Sequence, residues 1–183
     1  TLEIGLGVEV GFNPDRIRQL QSFLDRYHWD RVGISYHFLD VHGEHLNLLS
    51  RKKHNIAAYD GVGVERILDA YFSGLRVAVE ELPGDVLCHL DAVLRYHPDA
   101  KDFDFFTPAC DLLDRIAEKG MSLEVNTSGY PIRDQPFPSI DILKAAAGRN
   151  ITLVAGSDAH RPADVGRYFD RLSVIVKEIQ KIR

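Results

Sequence analysis

The chain has 183 residues, of which 45% are hydrophobic and 27% are charged, and 22 Lys+Arg against 27 Asp+Glu give a net charge of −5. That length suits one domain, expected over residues 1–183, and the composition argues against a disordered, fibrous or membrane-spanning polypeptide. The small excess of acid, without a long basic run, argues against nucleic acid and anionic membranes as partners, so an anionic substrate would need a local binding site.

The cysteines indicate a reducing compartment. Cys88 and Cys110 are far apart and lie in no Cys-x-x-Cys pattern, so we expect both to be reduced thiols. The sequence also shows no signal-peptide pattern. We therefore expect a cytoplasmic protein.

Hydrophobic periodicity predicts alternating strands and helices. Residues 2–10 alternate apolar and polar side chains, which predicts a strand, and Asn13-Pro14 then has the N-cap and first-turn residues of a helix. A stretch that we expect to be irregular covers residues 38–60. Further strands are predicted at 32–37, 86–90, 121–126 and 151–156, and further helices at 64–79, 107–118, 139–147 and from about residue 163. Five strand–helix units imply an α/β fold with a parallel sheet.

Each predicted strand has one apolar face, and four of them have a second face of small or polar residues. These second faces comprise Glu3, Gly5, Gly7 and Glu9; Gly33, Ser35 and His37; Ser122, Glu124 and Asn126; and Thr152, Gly156 and Asp158. On the third strand the same alternation assigns Leu87 and His89 to this face and turns Cys88 away. Because helices can cover only the apolar face, the polar face should line a barrel interior or a deep cleft.

Side chains that can bind metal ions stand at the C-terminal ends of these strands, where α/β enzymes assemble their sites. Nitrogen and oxygen donors of this kind suit Zn²⁺, Mn²⁺ or Fe²⁺ rather than Ca²⁺. The sequence therefore predicts a site for two to three divalent ions, and the predicted ligands are Glu9, His37, His89, Asp158 and His160.

Simpler roles exist for several of these residues. A single histidine at a strand end is more often structural, Glu9 could cap a helix, and Asp158 could form an Asx turn. Glu3 and Glu124 are predicted to lie deeper on the inner face of the strands, where a buried carboxylate needs a charged or hydrogen-bonding partner. The run His42 to His45 is most simply a solvated loop.

A phosphate site is indicated after the fourth strand. Asn126-Thr127-Ser128-Gly129 is followed by Arg133, and hydroxyl, amide and guanidinium groups together can hold a phosphate. Ser128 and Arg133 are the predicted substrate ligands. An exposed loop arginine is the alternative for Arg133.

At these positions the sequence resembles the polymerase and histidinol phosphatase (PHP) superfamily, most closely its histidinol-phosphatase type. The resemblance implies a distorted (β/α)7 barrel of the TIM type with up to three metal ions. It also implies that Glu9 is a bridging carboxylate, that His37 and His89 are nitrogen ligands, and that Asp158 and His160 form the final motif. The matching segments are Gly7-Val8-Glu9, Ser35-Tyr36-His37-Phe38-Leu39, Cys88-His89-Leu90-Asp91, Leu123 to Gly129 and Gly156-Ser157-Asp158-Ala159-His160.

The chain departs from the family at its start. Family members begin with a His-x-His motif on the first strand, whereas this sequence has no histidine before His28. Five strands are predicted where the family has seven, so we expect the first two to be missing from this chain. The missing N-terminal segment of the same protein is then an expected partner, because the shortened barrel would expose two unpaired edges.

The resemblance implies a metal-dependent phosphomonoesterase that hydrolyses L-histidinol phosphate, a small-molecule phosphate ester. In this hypothesis a metal-activated water attacks phosphorus, Asp158 and His160 are catalytic, and His160 or a metal-bound water protonates the leaving alkoxide. Two alternatives remain: a PHP-type phosphodiesterase or nuclease, which the acidic surface disfavours, and a metal-binding remnant without catalysis.

Overall fold

The computed structural model describes residues 3–41 and 43–181. In chain order its strands and α-helices are β1 (Gly7–Gly11), α1 (Ile17–Leu24), β2 (Arg31–Ser35), β3 (Phe38–Val41), β4 (Glu44–Asn47), α2 (Lys53–Val62), α3 (Val64–Glu81), β5 (Val86–Leu87), α4 (Phe106–Glu118), β6 (Ser122–Asn126), α5 (Tyr130–Arg133), α6 (Ile140–Gly148), β7 (Leu153–Gly156) and α7 (Leu172–Gln180).

Five of the strands form one parallel sheet in the order β1-β2-β5-β6-β7. The predicted α/β fold with five parallel strands is confirmed. Within the described residues, β1 and β7 each pair with one neighbour only, so this sheet is open. Closure into a (β/α)7 barrel and the absence of two strands from this chain therefore stay predictions.

The helices that follow these strands contact one another in chain order: α2 contacts α3, α3 contacts α4, α4 contacts α6 and α6 contacts α7. Sequential parallel strands with sequential helix contacts are typical of a singly wound α/β fold, in which the helices share one face of the sheet. None of the helices in the described part of the chain is both long and apolar enough for a membrane crossing.

The main core lies between the sheet and the helices. Ile34, Leu87 and Leu123 are aligned across three strands, and all three are fully buried. Leu75 of α3 and Leu113 of α4 belong to the same cluster. Burying one such side chain stabilises the fold by about 1.5–3 kcal/mol, so this row fixes which face of each strand turns away from the helices.

The prediction for the faces of β5 is wrong. Leu87 lies on the helix side, and Cys88 lies on the opposite face, where a Cβ atom added to Gly33 would come within 2.8 Å of the Cys88 Sγ. The strand ends at Leu87, and His89 has a left-handed backbone with φ of 26°. His89 therefore reaches the polar face because the backbone turns, and not by strand alternation.

The predicted irregular stretch after β2 is largely ordered. Strands β3 and β4 form an antiparallel hairpin, and Gly43 in its turn has φ of 85° while its N–H donates to Asp40 Oδ1 at 3.0 Å. His42 lies outside the described residues. Helix α2 follows, and the hydroxyl of its buried Tyr59 donates to the carbonyl of Asn47. The sequence did not predict the β3–β4 hairpin or α2, because apolar and polar residues in these segments follow neither the strand nor the helix period.

The last helix begins later than predicted. Periodicity suggested a start near residue 163, whereas α7 begins at Leu172. Gly166 and Tyr168 have φ of 71° and 58°, which a continuous right-handed helix does not allow. Two short 3-10 turns, Pro162–Asp164 and Phe169–Arg171, occupy the intervening segment.

Candidate metal centre

Three of the predicted ligands meet on the polar side of the sheet. Glu9 lies in β1, His37 follows β2 and His89 follows β5. Glu9 Oε1 is 3.3 Å from His37 Nε2 and 3.4 Å from His89 Nε2, and the two Nε2 atoms are 3.3 Å apart. Three neighbouring parallel strands thus direct one oxygen and two nitrogen atoms into one small space.

This spacing fits a single divalent cation. Two ligand atoms that are each about 2.1 Å from a tetrahedral zinc ion lie about 3.4 Å apart. Imidazole nitrogen and carboxylate oxygen are also donors that zinc and related metals accept. Among the described residues, Glu9, His37 and His89 form the group whose donor atoms can reach one ion. The number and identity of the ions stay predictions.

The donors also shift the ionisation of one another. Desolvation raises the pKa of the Glu9 carboxyl, but hydrogen bonds from His37 and His89 outweigh it and hold that pKa well below its ordinary value. Burial lowers the pKa of His89, whereas the hydrogen bond and charge of Glu9 raise it, and the net shift is upward. Glu9 is therefore an anion at neutral pH, as a metal ligand must be.

Glu124 holds the loop of His89 in place. Its Oε2 accepts hydrogen bonds from the His89 backbone N–H at 2.9 Å and from Asn126 Nδ2 at 3.1 Å. Burial raises the pKa of this carboxyl, and the nearby His89 opposes the rise. Gly156 makes room for it, since a Cβ atom there would overlap Glu124 Oε1. The predicted supporting position of Glu124 agrees with these contacts, whereas Glu3 is exposed and precedes β1.

Asp158 and His160 line the same cavity as the three donors, without joining their cluster. This cavity, called the metal cavity below, has a volume of about 450 Å³ and is lined by Glu9, His37, Leu49, His89, Arg95, Asp158, Ala159 and His160. Asp158 has a left-handed backbone with φ of 49°. The His160 side chain is 84% exposed, and its Nδ1 is 3.0 Å from the Asp158 carbonyl oxygen. Their metal-binding and catalytic roles stay predictions.

Ser128 contacts Asp158 rather than open solvent. Its hydroxyl donates to Asp158 Oδ2 at 3.2 Å, and its own N–H donates to Asn126 Oδ1 at 2.9 Å. Ser128 is buried and is not part of the metal cavity wall. The contacts make Ser128 a residue that orients Asp158, and its predicted contact with substrate remains untested.

Arg133 lies apart from the metal cavity in an internal ion pair. Its two terminal nitrogens donate to the carboxylate of Asp91 at 3.0 and 2.8 Å, and its Nε donates to the carbonyl of Pro136 at 3.1 Å. The guanidinium also stacks 4.0 Å above the Phe137 ring centre. Burial raises the pKa of Asp91, and Arg133 opposes that rise. The structure does not bring Arg133 to the other predicted site residues, so a phosphate would have to compete with Asp91 for it.

Sequence reasoning missed Arg95. It lies in the connection between β5 and α4, and its side chain lines the metal cavity. Its Nε is buried and has no hydrogen-bond partner within the described residues, while the guanidinium lies 5.5 Å from the Tyr96 ring centre. A basic residue in the segment after a ligand-bearing strand was the available signal, but nothing in the spacing separates Arg95 from other loop arginines.

The fold and the site define an α/β protein in which nitrogen and oxygen atoms that can bind a metal ion meet on the polar side of a parallel sheet, within or just after its strands. The family described as PHP-associated matches residues 142–174. This match and the relative described next support the assignment to the PHP superfamily that the motifs around the strand ends predicted.

Named relatives agree with that assignment. A protein of Deinococcus radiodurans named Probable histidinol-phosphatase is 30% identical over 187 residues, which is 99% of this chain and 65% of the relative. A crystal structure from Listeria monocytogenes, assigned as a histidinol phosphatase, superposes with a TM-score of 0.79 at 23% identity over 92% of this chain and 68% of that one. Histidinol phosphate phosphatase of Lactococcus lactis, complexed with zinc, L-histidinol and phosphate, has a TM-score of 0.65 at 16% identity over 97% and 67% of the two chains. The present chain therefore spans less than two thirds of the curated relative.

Proposed function

We propose that the protein is a metal-dependent phosphomonoesterase and that L-histidinol phosphate is its substrate. The observation on which this rests most directly is the cluster of Glu9, His37 and His89, with donor atoms 3.3–3.4 Å apart. The name of the relative from Deinococcus radiodurans supports the phosphatase class. The ligands in the Lactococcus lactis structure, which include histidinol and phosphate, support the choice of substrate.

The three donors would hold a divalent ion at the floor of the metal cavity. A bound divalent ion of this kind supplies charge to phosphate oxygens and lowers the pKa of a coordinated water towards neutrality. The carboxylate of Glu9 provides one negative charge, and the two imidazoles are neutral when they bind metal. The three donors and one divalent ion would together carry a net positive charge, which suits a phosphate dianion in a protein of net charge −5.

Arg95 would bind the phosphate oxygens that face away from the metal. Its Nε is buried without a partner in the described part of the chain, and its side chain lines the metal cavity together with His89. A buried guanidinium donor with no partner loses hydrogen-bonding free energy until an acceptor arrives. Charged hydrogen bonds from arginine to phosphate would restore it and orient the ester.

Asp158 and His160 would act from the wall of the same cavity. The Asp158 carboxylate is oriented by the hydroxyl of Ser128 at 3.2 Å. His160 Nδ1 lies 3.0 Å from the Asp158 carbonyl oxygen, so Nδ1 holds a proton and Nε2 is the free nitrogen. That nitrogen could bind a second ion or hold the proton that the leaving alkoxide takes.

The experiment loads the full-length protein with zinc or manganese and measures phosphate release from L-histidinol phosphate. Release that disappears after metal removal and returns on reloading is the expected result. Labelled single-stranded DNA is the alternative substrate. If the protein shortens this DNA and releases no phosphate from the monoester, the proposal is refuted in favour of a nuclease. Stoichiometric metal without turnover on a panel of phosphoesters would also refute it and support a non-catalytic metal-binding domain.

A further inference from the structure

Arg167 contacts the beginning of the segment to which it belongs, the β7–α7 connection that also carries Asp158 and His160. Its Nε donates to the carbonyl of Ser157 at 2.9 Å, and its Nη2 donates to the carbonyl of Asp158 at 3.1 Å. These two carbonyls belong to the peptide groups before and after the Asp158 Cα atom. Because peptide groups are planar and guanidinium donors form a rigid fork, this pair of hydrogen bonds fixes both backbone torsion angles of Asp158.

The backbone of Asp158 requires such contacts. Its φ of 49° lies in the left-handed region, which is unfavourable for a residue with a Cβ atom, so the surrounding structure must impose it. The Asp158 carbonyl oxygen has two lone pairs and lies 3.1 Å from Arg167 Nη2 and 3.0 Å from His160 Nδ1, so it can accept from both. A rotation of this carbonyl would therefore displace the imidazole of His160 as well.

Arg167 is itself held by a residue of the neighbouring strand connection. Thr127 directly follows β6 and is fully buried, and its hydroxyl lies 2.7 Å from the Arg167 carbonyl oxygen and 3.2 Å from that of Gly156. One hydroxyl proton serves one carbonyl at a time, and the shorter contact is the one to Arg167. On the side-chain end, Asp164 lies 3.8 Å from the Arg167 guanidinium. The guanidinium is thus anchored before it contacts the Asp158 turn.

We propose that Arg167 is a positioning residue of the candidate site, which holds Asp158 in the conformation in which Asp158 and His160 line the metal cavity. The inference rests on the proposed function, in which these two residues act on the phosphate ester. Arg167 is not one of the described residues that line the cavity, and its described contacts do not include Glu9, His37 or His89. It therefore acts through the Asp158 backbone, and its loss should slow turnover without weakening substrate binding.

Steady-state kinetics of the full-length, metal-loaded Arg167→Ala variant test this inference. We expect kcat for L-histidinol phosphate to fall about 10- to 100-fold, because a small displacement of a reacting group has an effect of that size, while KM stays nearly constant. Guanidinium chloride, far below the concentration that unfolds the protein, should restore part of kcat by replacing the lost fork, whereas sodium chloride at equal ionic strength should not.

Arg171→Ala is the matched control for a general loosening of the β7–α7 connection. Arg171 lies in the same connection, pairs with Asp134 at 2.7 Å and stacks on Tyr130, but none of its described contacts reaches Asp158. We expect this variant to keep the kcat of the unaltered protein.

A crystal structure of the zinc-loaded variant gives a measurement that does not depend on turnover. In Arg167→Ala we expect Asp158 to leave the left-handed region and to lose its 3.2 Å hydrogen bond from Ser128. If Arg167→Ala does not fold, Arg167→Lys replaces it in both measurements. A lysine ammonium keeps the charge but lacks the fork, so kcat should fall in the same direction.

The outcomes separate this inference from the proposed function. An unchanged kcat in the folded Arg167 variant, an equal loss of kcat in Arg171→Ala, or an unchanged Asp158 backbone would overturn the inference and leave the phosphatase proposal intact. Absence of phosphate release from the unaltered, metal-loaded protein would instead refute the proposed function, and the role of Arg167 in turnover would fall with it.

Discussion

Replacing Arg133 separates a structural role from the substrate-binding role that the sequence suggested. The Asp91 side chain is 1% exposed and receives both terminal nitrogens of Arg133, so Arg133→Ala leaves a buried carboxylate without its partner. Breaking a buried ion pair on one side costs about 3–5 kcal/mol. For a domain of this length, about 2–4 °C of melting temperature corresponds to each kcal/mol, so we expect a decrease of about 6–20 °C.

Urea unfolding of the metal-loaded protein, followed by circular dichroism, measures the loss in the free energy of unfolding, and thermal unfolding measures the decrease in melting temperature. The matched control is Arg149→Ala, which breaks a surface pair with Asp114 at 2.7 Å and should cost at most about 1 kcal/mol. The double variant Asp91→Leu/Arg133→Met should recover part of the loss, because it leaves no buried charge unpaired. A normal unfolding midpoint together with a raised KM for the phosphate ester would refute this reasoning and restore Arg133 as a substrate ligand.

Three further variants address the metal centre. Glu9→Gln should lower both the bound metal and the rate of phosphate release, whereas Glu44→Gln in the exposed hairpin should change neither. Elemental analysis measures the metal and a phosphate assay measures the release. Full metal content in Glu9→Gln would contradict the site. Arg95→Met should weaken inorganic phosphate about 10- to 100-fold as a competitive inhibitor with metal content unchanged, and an unaltered inhibition constant would exclude its proposed contact. Gly156→Ala should displace Glu124, destabilise the protein by about 1–3 kcal/mol and weaken metal binding, and a melting curve like that of the parent would contradict the close approach.

The sequence predicted the parallel sheet because each strand repeats the same apolar pattern. It failed at β5 because that strand has only two residues, Val86 and Leu87, and the backbone then turns at His89. Alternation cannot be extrapolated through a left-handed residue, and the assignment of Leu87 to the polar face was therefore wrong. The late start of α7 has the same cause, since Tyr168 is also left-handed.

Position along the strands was sufficient to predict that three of the candidate ligands lie close together. Glu9 lies in the middle of β1, whereas His37 and His89 follow the ends of β2 and β5, and the register of the parallel sheet brings the three side chains together. The environments of Arg95 and Arg133 depended instead on loop conformation. The Asp91 partner of Arg133 is 42 residues away in sequence, and nothing in the pattern around either residue indicates that pairing.

His89 and Asp158 both have left-handed backbones, with φ of 26° and 49°. Such conformations cost about 1–3 kcal/mol for residues other than glycine, and the surrounding structure must impose them. Glycine at either position would relax the torsion and delete the functional group in the same step. Selection for thermal stability alone should therefore favour glycine at these two positions and lower the activity. Selection that also requires turnover should retain His89 and Asp158 despite their strained backbone.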